Sequence, residues 1–475
     1  MEIDVIKKII KNNLKGFESR NKQTATAEKY YRNENDILRE DADDTRVQHK
    51  KTDDTNPLRN ADNRVSHPWH RLLVNQKASY AMTTPPKFDV KDKHLNDEVT
   101  KLLGDSYSKI AKDLAVNASN AGIAWLHIWR DKNKQNFFRY AVVDSKQIVP
   151  IFSKKLGNEL IGVLRIYDDY NESGDVITVY EYWNDAECAM FAKRKGQTVE
   201  DIEAYNAFNL IDISTETAAE QTNTYKHGWE DIPFIPFRNN ADELSDLALY
   251  KDLIDVYDKI YAGFVNDLDD VQEIIFVLTN YGGQKKQEFL DDLRNYKMVK
   301  VDDFGDGTKS GVDTLAVDIP TDARDKLLEI TRESIFVNGQ GVDPQKNIGQ
   351  NNSGAALDHM YSLLELKTSA METEFHQGFA KLVRFILKYS NANADIEITQ
   401  TWKRNVINNE YETAQTVSLL ANVTSKETIA KANPLVANWE DELEAQRIED
   451  EEEFRGGSDY KREEPIDLGS DEDDE

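Results

Sequence analysis

The chain is poor in the residues that build covalent or metal frameworks. Among 475 residues there is one cysteine, Cys188, and there are eight histidines. A single thiol can form neither a disulfide framework nor a cysteine metal cluster, which points to a reducing compartment. Long apolar runs are missing as well. No window approaches the roughly eighteen uninterrupted apolar residues of a membrane span. The opening Met1-Glu2-Ile3-Asp4-Val5-Ile6-Lys7-Lys8 has no apolar signal core, so neither secretion by the usual route nor membrane spanning is expected. Positive charge is scarce: 59 Lys and Arg face 87 Asp and Glu, a net of −28. That balance favours solubility and argues against a nucleic-acid surface of the usual basic kind. From Glu440 to Glu475 eighteen acidic residues outnumber four basic ones, a net of −14 and half the total. This tail is expected to be disordered, and a solvated segment without a specific role is its plainest reading.

Catalytic motifs are absent too. There is no Walker A pattern. Gly305-Asp306-Gly307-Thr308-Lys309-Ser310 misplaces its lysine and reads as a hairpin turn. Gly339-Gln340-Gly341 lacks a third glycine and a preceding βαβ unit, and no HExxH, G-x-S-x-G or EF-hand loop appears. His67 and His70 lie three apart, with no further ligands at metal spacing, and read as ordinary surface or core histidines. Pairs such as Asp168-Asp169 and Asp302-Asp303 are what so acidic a composition produces by itself. The sequence therefore offers no catalytic residue, no metal site and no cofactor site.

What is present is a long amphipathic helix behind a polar loop. After Ser353, a candidate N-cap, Leu357, Met360, Leu364, Met371, Phe375, Phe379, Leu382 and Ile386 recur at helical spacing. To Tyr389 the run would span roughly 55 Å at about 1.5 Å per residue. The loop before it, 339–353, is rich in Asn, Gln and Gly, with Lys346 its only basic residue. A flexible, neutral loop hinged on a long helix suits a surface that touches without gripping.

Upstream, residues 3–40 read as helix, 41–62 as loop, and 63–80 as helix after Pro68, stopped by Thr84-Pro85-Pro86. A helix follows from about Asn96 to Ala121. The period then changes to that of strands at 123–129, 137–143, 148–152, 160–167 and 176–183, a meander of antiparallel strands. Residues 201–226 read as loop, and 232–237 as an extended segment closing the unit. From Asp242, with Asn240 a candidate cap, Leu247, Tyr250, Ile254, Tyr257, Tyr261 and Phe264 mark one helical face, continued by Leu268. That face is too extensive for one subunit to bury. An insert carries strands at 274–278, 298–301 and 314–317 and a helix at 287–296. Helix resumes at Thr321 with Ala323, Leu327, Ile330 and Ser334 inward. A strand at 396–402, helical stretches at 410–421 and from Ser425 to Asn433-Pro434, and a charged helix at 439–454 complete an α+β, helix-rich chain without internal repeats.

Several stretches, in this order, resemble the portal (head-to-tail connector) proteins of tailed bacteriophages of the siphophage type. Tyr30-Tyr31-Arg32-Asn33-Glu34-Asn35-Asp36-Ile37-Leu38 is similar to the family's YY-x-G-x-NDIL helix. Asn63-Arg64 through Leu73-Val74-Asn75-Gln76-Lys77-Ala78-Ser79-Tyr80 is similar to its N-R…IV-x-QK-x-SY segment. Ser245-Asp246-Leu247, leading to Leu253-Ile254-Asp255-Val256-Tyr257-Asp258, resembles its first stem helix. Gly354-Ala355-Ala356-Leu357 with Tyr361-Ser362-Leu363-Leu364-Glu365-Leu366-Lys367 resembles the start of its long helix, and Ser425-Lys426-Glu427-Thr428 its crown. Two local turns depart from the pattern. Asn33 stands where glycine is usual, and Thr84-Pro85-Pro86 replaces a glycine-proline ending.

The resemblance implies a portal fold of wing, stem, clip and crown, assembled as a ring of about twelve copies around a DNA channel. It implies a wing at 1–241 with a return strand at 391–407, stem helices at 242–272 and 321–338, and a clip at 273–320. A tunnel loop would follow at 339–353, then the long helix 354–390, a crown at 408–450 and the acidic tail 451–475. Lys346, Asn347, Gln350, Asn351 and Asn352 would face DNA. The implied partners are further copies, double-stranded DNA without sequence preference, a terminase packaging motor, a head-completion adaptor, and the major capsid and scaffolding proteins, with no membrane. The implied place is the virion's portal vertex, and the host cytoplasm during assembly. An acidic surface agrees with sliding, because each neutralised phosphate would add counterion-release affinity and act as a brake. Two other readings stand beside it: a metal-dependent nuclease, and an acidic scaffold or chaperone-like binding protein. The latter would not need the insert at 273–320.

Overall fold

The computed structural model describes residues 3–38, 61–131, 137–157, 159–171, 173–212, 217–271, 275–279, 291, 311–315, 320–345, 354–405, 418–419, 424–432 and 439–456. The chain divides into two compact units, 1–346 with 361–405, and 347–360 with 406–475.

In the larger unit, α1 (Ile3–Tyr31) is shorter than the expected 3–40. Asn33 adopts φ 64°, a left-handed turn that ends the helix. This is the position where the resembled pattern carries glycine, and the conformation gives the reason. After Pro68 comes α2 (Trp69–Met82). The single helix expected over 96–121 is two, α3 (Lys93–Leu103) and α4 (Tyr107–Ala121). Gly104, at φ 64° and ψ −176°, takes a conformation that only glycine adopts readily and separates them.

The expected meander is split between two sheets. Strands β2 (Ile123–Asp131) and β3 (Phe137–Val143) pair with each other, and β12 (Phe234–Arg238) pairs on the other edge of β2. Strands β4 (Ile148–Phe152), β5 (Leu160–Tyr170), β6 (Val176–Trp183) and β7 (Glu187–Arg194) run in antiparallel order in a second sheet. The region expected as loop, 201–226, holds β8 (Glu203–Ala204), β9 (Phe208–Asp212), β10 (Thr217–Thr222) and β11 (Thr224–Lys226). β8 and β11 pair with β7, and β9 with β10. Their alternation was hidden by low apolar content. One face of the second sheet buries Tyr180, Tyr182 and Phe191 with Ile6 and Ile10 of α1. The other buries Val163, Val179 and Trp183 with Trp125 and Phe234.

Then come a 3₁₀ turn, Asp246–Leu249, and α5 (Lys251–Val271). Asn240 does not cap this helix; its Oδ1 accepts from Leu244 N–H, while Ser245 caps the 3₁₀ turn. Strands β13 (Ile275–Thr279) and β14 (Gly311–Leu315) pair antiparallel between α5 and α6 (Thr321–Asn338). The expected elements at 298–301 and 287–296 lie outside the described residues, except Asp291. α7 (Gly354–Tyr389) matches the expected long helix. From Met371 to Leu387 it packs under β2, β3 and β12 through Met371, Phe375, Phe379, Leu382 and Ile386. Phe237 stacks edge-on to Phe375 and Phe379 at 5.1 and 5.0 Å. Gly378 lets this ring approach, since a Cβ there would lie 2.6 Å from Phe237 Cε1. The expected return strand is β15 (Thr399–Thr401), paired with β1 (Lys87–Asp89).

The smaller unit contains α8 (Lys426–Ala432) and α9 (Trp439–Gly456). The Ser425 hydroxyl accepts from Thr428 N–H at the start of α8. The tail from 457 onward, and most of 410–421, lie outside the described residues.

Candidate functional site

The inner face of α5 meets its own chain. Leu247, Tyr250 and Ile254 are buried against Ala27, Tyr30, Leu73, Ile335 and Phe336. Tyr257 and Tyr261 pack edge-on to His67, with ring centroids 4.9 and 4.8 Å away. Phe264 lies under the Arg324 guanidinium. Of the expected face, Ile254, Tyr257, Tyr261 and Phe264 lie on α5 while Leu247 and Tyr250 lie in the turn ahead of it; most of this side is already covered within one copy, but Leu268, expected to continue it, is exposed. The covering elements are α1, α2, α6 and the extended segment 61–68, which sequence periodicity could not assign. On α6 the expected inward face is reversed: Ala323, Leu327 and Ile330 are exposed, while Thr331, Ile335 and Phe336 are buried.

The segment 61–68 is fixed by α5. Asn63 N–H donates to Asn266 Oδ1 at 2.6 Å. The fully buried Asp258 accepts from His67 N–H at 3.1 Å and Asn35 Nδ2 at 2.6 Å, and sits 2.7 Å from His67 Nδ1. His70 serves a different network. Its Nε2–H donates to Asn120 Oδ1 at 2.9 Å, which leaves Nδ1 to accept from the Tyr250 hydroxyl at 2.7 Å. Burial pushes the His70 pKa down to about 4, so the ring is neutral. His70 is thus a core residue and His67 a half-buried one, each with separate partners. Among the described residues no group of three or more His, Cys, Asp or Glu could hold a metal ion. Asp168 accepts from Thr178 and Lys195 at the surface, and Asp302-Asp303 lie outside the described residues.

The densest buried chemistry lies where α2, the turn before α5, the end of α6 and the start of α7 converge. Asp246 Oδ2 accepts from Lys77 Nζ at 2.9 Å and lies 3.0 Å from Lys367 Nζ. Asp246 Oδ1 accepts from Asn239 Nδ2 at 2.8 Å, and Asn239 Oδ1 accepts from Lys77 at 2.5 Å. Burial alone would raise the Asp246 pKa; Lys367 and Lys77 hold it well below the usual carboxylate range. Burial pushes Lys77 downward against the pull of Asp246. Two buried ammonium groups share one carboxylate, leaving one positive charge in excess. Lys367 also donates to Gly339 O at 2.9 Å. That carbonyl stands at the C-terminal end of α6, where the helix dipole carries roughly half a negative charge, so the helix end offsets the excess.

This cluster fixes the root of the 339–353 loop. Gly339 and Gly341 N–H close back on Ile335 and Phe336 carbonyls, with Gln340 at φ 50°. Gln76 grips Val342 at both backbone atoms, donating to its carbonyl at 2.7 Å and accepting from its N–H at 3.1 Å. Arg332 lies 3.2 Å from Asp343, which caps Gln345 N–H at 2.9 Å. Residues 339–345 are therefore anchored rather than flexible. Lys346, Asn347, Gln350, Asn351 and Asn352, and the Ser353 cap, lie outside the described residues. Two residues before Lys367 on α7, Glu365 accepts from both Arg404 Nε and Nη2, at 2.9 and 2.8 Å, and from the Tyr80 hydroxyl at 2.7 Å. Arg404 draws the Glu365 pKa down to about 2, against burial. Sequence reasoning missed Lys77, Asn239, Asp246 and Lys367 as a group. Lysines inside otherwise apolar helical faces were the available signal.

The family described as "Phage portal protein, SPP1 Gp6-like" matches residues 10–455. The portal protein of Clostridium phage phiCD119 is 35% identical over 456 residues, covering 94% of each chain. The portal protein of Bacillus phage SPP1 is 32% identical over 398 residues, covering 82% of this chain and 76% of that one. Among solved structures, a chain of the neck of a native gene transfer agent particle is similar at TM-score 0.41 and 12% identity, covering 78% of this chain and 90% of that one.

Proposed function

The chain belongs to the SPP1 Gp6-like family of phage portal proteins, structural components of a capsid vertex, and we propose that it forms the ring through which the genome enters and leaves. The observation that carries this reading is the near full-length match to a named portal protein. The ring would hold about twelve copies closed by a heterologous contact. In it, 1–241 with 391–407 forms the wing, 242–272 and 321–338 the stem, 273–320 the clip, and 408–450 the crown. The clip would receive a terminase motor during packaging and a head-completion adaptor afterwards, and the wing would meet capsid and scaffolding proteins. The protein would supply geometry and no catalysis, with ATP hydrolysis left to the motor. Assembly would take place in the host cytoplasm.

The anchored root supports a specific division of labour. Residues 339–345 hold position, and 346–353 present Lys346, Asn347, Gln350, Asn351 and Asn352 to passing DNA. Neutral amides meet phosphate oxygens without full charge pairs. Replacing Asn351 and Asn352 by lysine should leave ring assembly intact and impair DNA passage, more at low salt than at high salt. The assay is packaging into assembled procapsids, scored as DNA length protected from nuclease. Wild-type packaging by this variant under both conditions would remove the loop from the channel.

A further inference from the structure

We infer that Asn338 is a site of spontaneous covalent modification, closing on the Gly339 nitrogen to a succinimide when the root at 339–345 opens, and that Lys367 holds the site shut. Asn338-Gly339 is the only Asn-Gly pair in the chain, and it falls at the last residue of α6. Glycine has no side chain to shield its nitrogen and moves freely between backbone conformations, so an asparagine ahead of it is the most open to attack. The reaction needs no partner beyond solvent water. The Gly339 nitrogen bonds to Asn338 Cγ, the Cγ–Nδ2 bond breaks, and ammonia leaves with the proton that the Gly339 amide gives up. Water then opens the ring at either carbonyl. One product is aspartate at 338. The other is isoaspartate, whose main chain runs through Cγ and is longer by a methylene. Nothing is oxidised or reduced.

The folded geometry opposes this chemistry at both reacting groups. In a helix the Cα–Cβ bond tilts toward the N-terminus. The Asn338 carboxamide accordingly reaches back one turn and donates from Nδ2 to Ser334 O at 2.8 Å, away from the nitrogen that would attack it. That nitrogen is engaged as well, since Gly339 N–H donates to Ile335 O at 2.8 Å. Gly339 keeps a right-handed conformation, φ −75° and ψ −6°, and is buried against α2, where a Cβ on it would lie 2.5 Å from Leu73 Cδ1. Asn338 itself is exposed, so the restraint comes from the backbone and not from the side chain's surroundings. Lys367 supplies that restraint. Its buried ammonium, held by Asp246, donates to Gly339 O at 2.9 Å and so fixes the residue that carries the reacting nitrogen. Gln76 holds Val342, three residues further on, through both backbone atoms. Losing the Lys367 bond frees Gly339 to turn and Asn338 to leave its helical conformation. A reacted chain cannot close again in the same way. The new carboxylate stands at the negative end of the α6 dipole. The longer main chain of isoaspartate also breaks the register of the bonds from Gly339 to Ile335 and from Gly341 to Phe336. An opening of the root is thereby recorded in covalent form.

The test is peptide mapping by mass spectrometry on the full-length chain, kept warm at mildly alkaline pH. Conversion at 338 is read as the mass gain from amide to acid, and isoaspartate is told from aspartate by its fragmentation. The same chain in denaturant gives the unrestrained rate. Folded wild type should convert at least about tenfold more slowly than the denatured chain, because the reaction waits on the opened fraction. Lys367→Met should raise the folded rate by about tenfold, since a hydrogen bond to a charged group is lost. Gln76→Ala should raise it by a smaller factor, and carries the test if Lys367→Met does not fold. Hydrogen exchange at the Gly339 and Gly341 amides should rise in step, while the sheet amides stay protected. Equal rates in folded and denatured wild type would overturn the inference, as would conversion of both variants at the wild-type rate. An acceleration in which exchange rises equally across the sheets would mean whole-chain unfolding, and would remove Lys367 from its role.

Discussion

Two buried clusters meet along α7 and are built on opposite terms. From Met371 to Leu387 the helix lies in a wide apolar core with Phe138, Phe237 and Trp229. At Lys367, one turn earlier, it enters a cluster in which two lysines, one aspartate and one asparagine are all buried. The apolar core is held by many weak, non-directional contacts, so its energy is spread over many residues. The polar cluster depends on a few directed bonds, each of which leaves a charged or polar group unsatisfied when it is lost. The first holds the wing strands on the helix. The second sets where α6 ends and where the loop root leaves it. The position needing the sharper geometry is thus held by the less forgiving chemistry.

The contrast can be broken at Asp246. Asp246→Ala should destabilise the chain by about 3–5 kcal/mol, because two buried ammonium groups lose the carboxylate they share. Urea unfolding followed by tryptophan fluorescence measures this. Lys77→Met should cost distinctly less, since it removes the excess charge and leaves the Asp246–Lys367 pair intact. Equal losses from the two variants would refute the two-lysine, one-aspartate account. In the apolar core, Met371→Leu preserves volume and should cost less than about 1.5 kcal/mol. A larger loss there would mean that the core also depends on exact shape, and the contrast would weaken.

What was legible in the sequence follows the same division. The long helix and the strands at 137–143, 148–152 and 176–183 were readable because apolar spacing repeats over many residues. The inner face of α5 was readable as a face, but not what covers it, because periodicity names a side and not its partner. For α6 the wrong side was taken as inward, since Ala323, Leu327, Ile330 and Ser334 form the more apolar stripe and Thr331 and Phe336 break the pattern of the buried one. Strands β8 to β11 escaped notice because Glu203, Asn209 and Glu220 dilute their alternation. The Asp246 cluster was invisible for a deeper reason. Its members stand at 77, 239, 246 and 367, and although Lys77 sits on the apolar face of α2, nothing local names the partners it meets. The loop root was taken as flexible from its Gly and Gln content, whereas Gln76, Arg332 and Lys367 hold it from three helices.

The smallest expected effect lies at the edge of the polar region, where Glu365 joins Arg404, Tyr80 and Ser369. This carboxylate is part exposed, with its side chain at 41% relative accessibility, so water screens the pair. Its pKa nevertheless falls from 4.5 to about 2, first because Arg404 donates to the ionised form, with Tyr80 and Ser369 adding to it against the cost of burial. The sign of the linkage is fixed by that direction. An acid whose folded pKa is depressed stabilises the fold fully above its unfolded value, and the contribution is lost as pH falls through the folded one. The advantage of wild type over Glu365→Gln should therefore be complete above about pH 5 and shrink steadily toward about pH 2. Every other carboxylate titrates in both proteins, so the difference between their unfolding free energies isolates this one. Chemical denaturation at stepped pH measures it. A difference that stays constant from neutral pH to about pH 2 would mean that Glu365 acts through its shape and not its charge. α7 would then be tied here to α2, through the stacked rings of Tyr80 and Tyr361 5.6 Å apart, and not by charge to the return segment that carries Arg404.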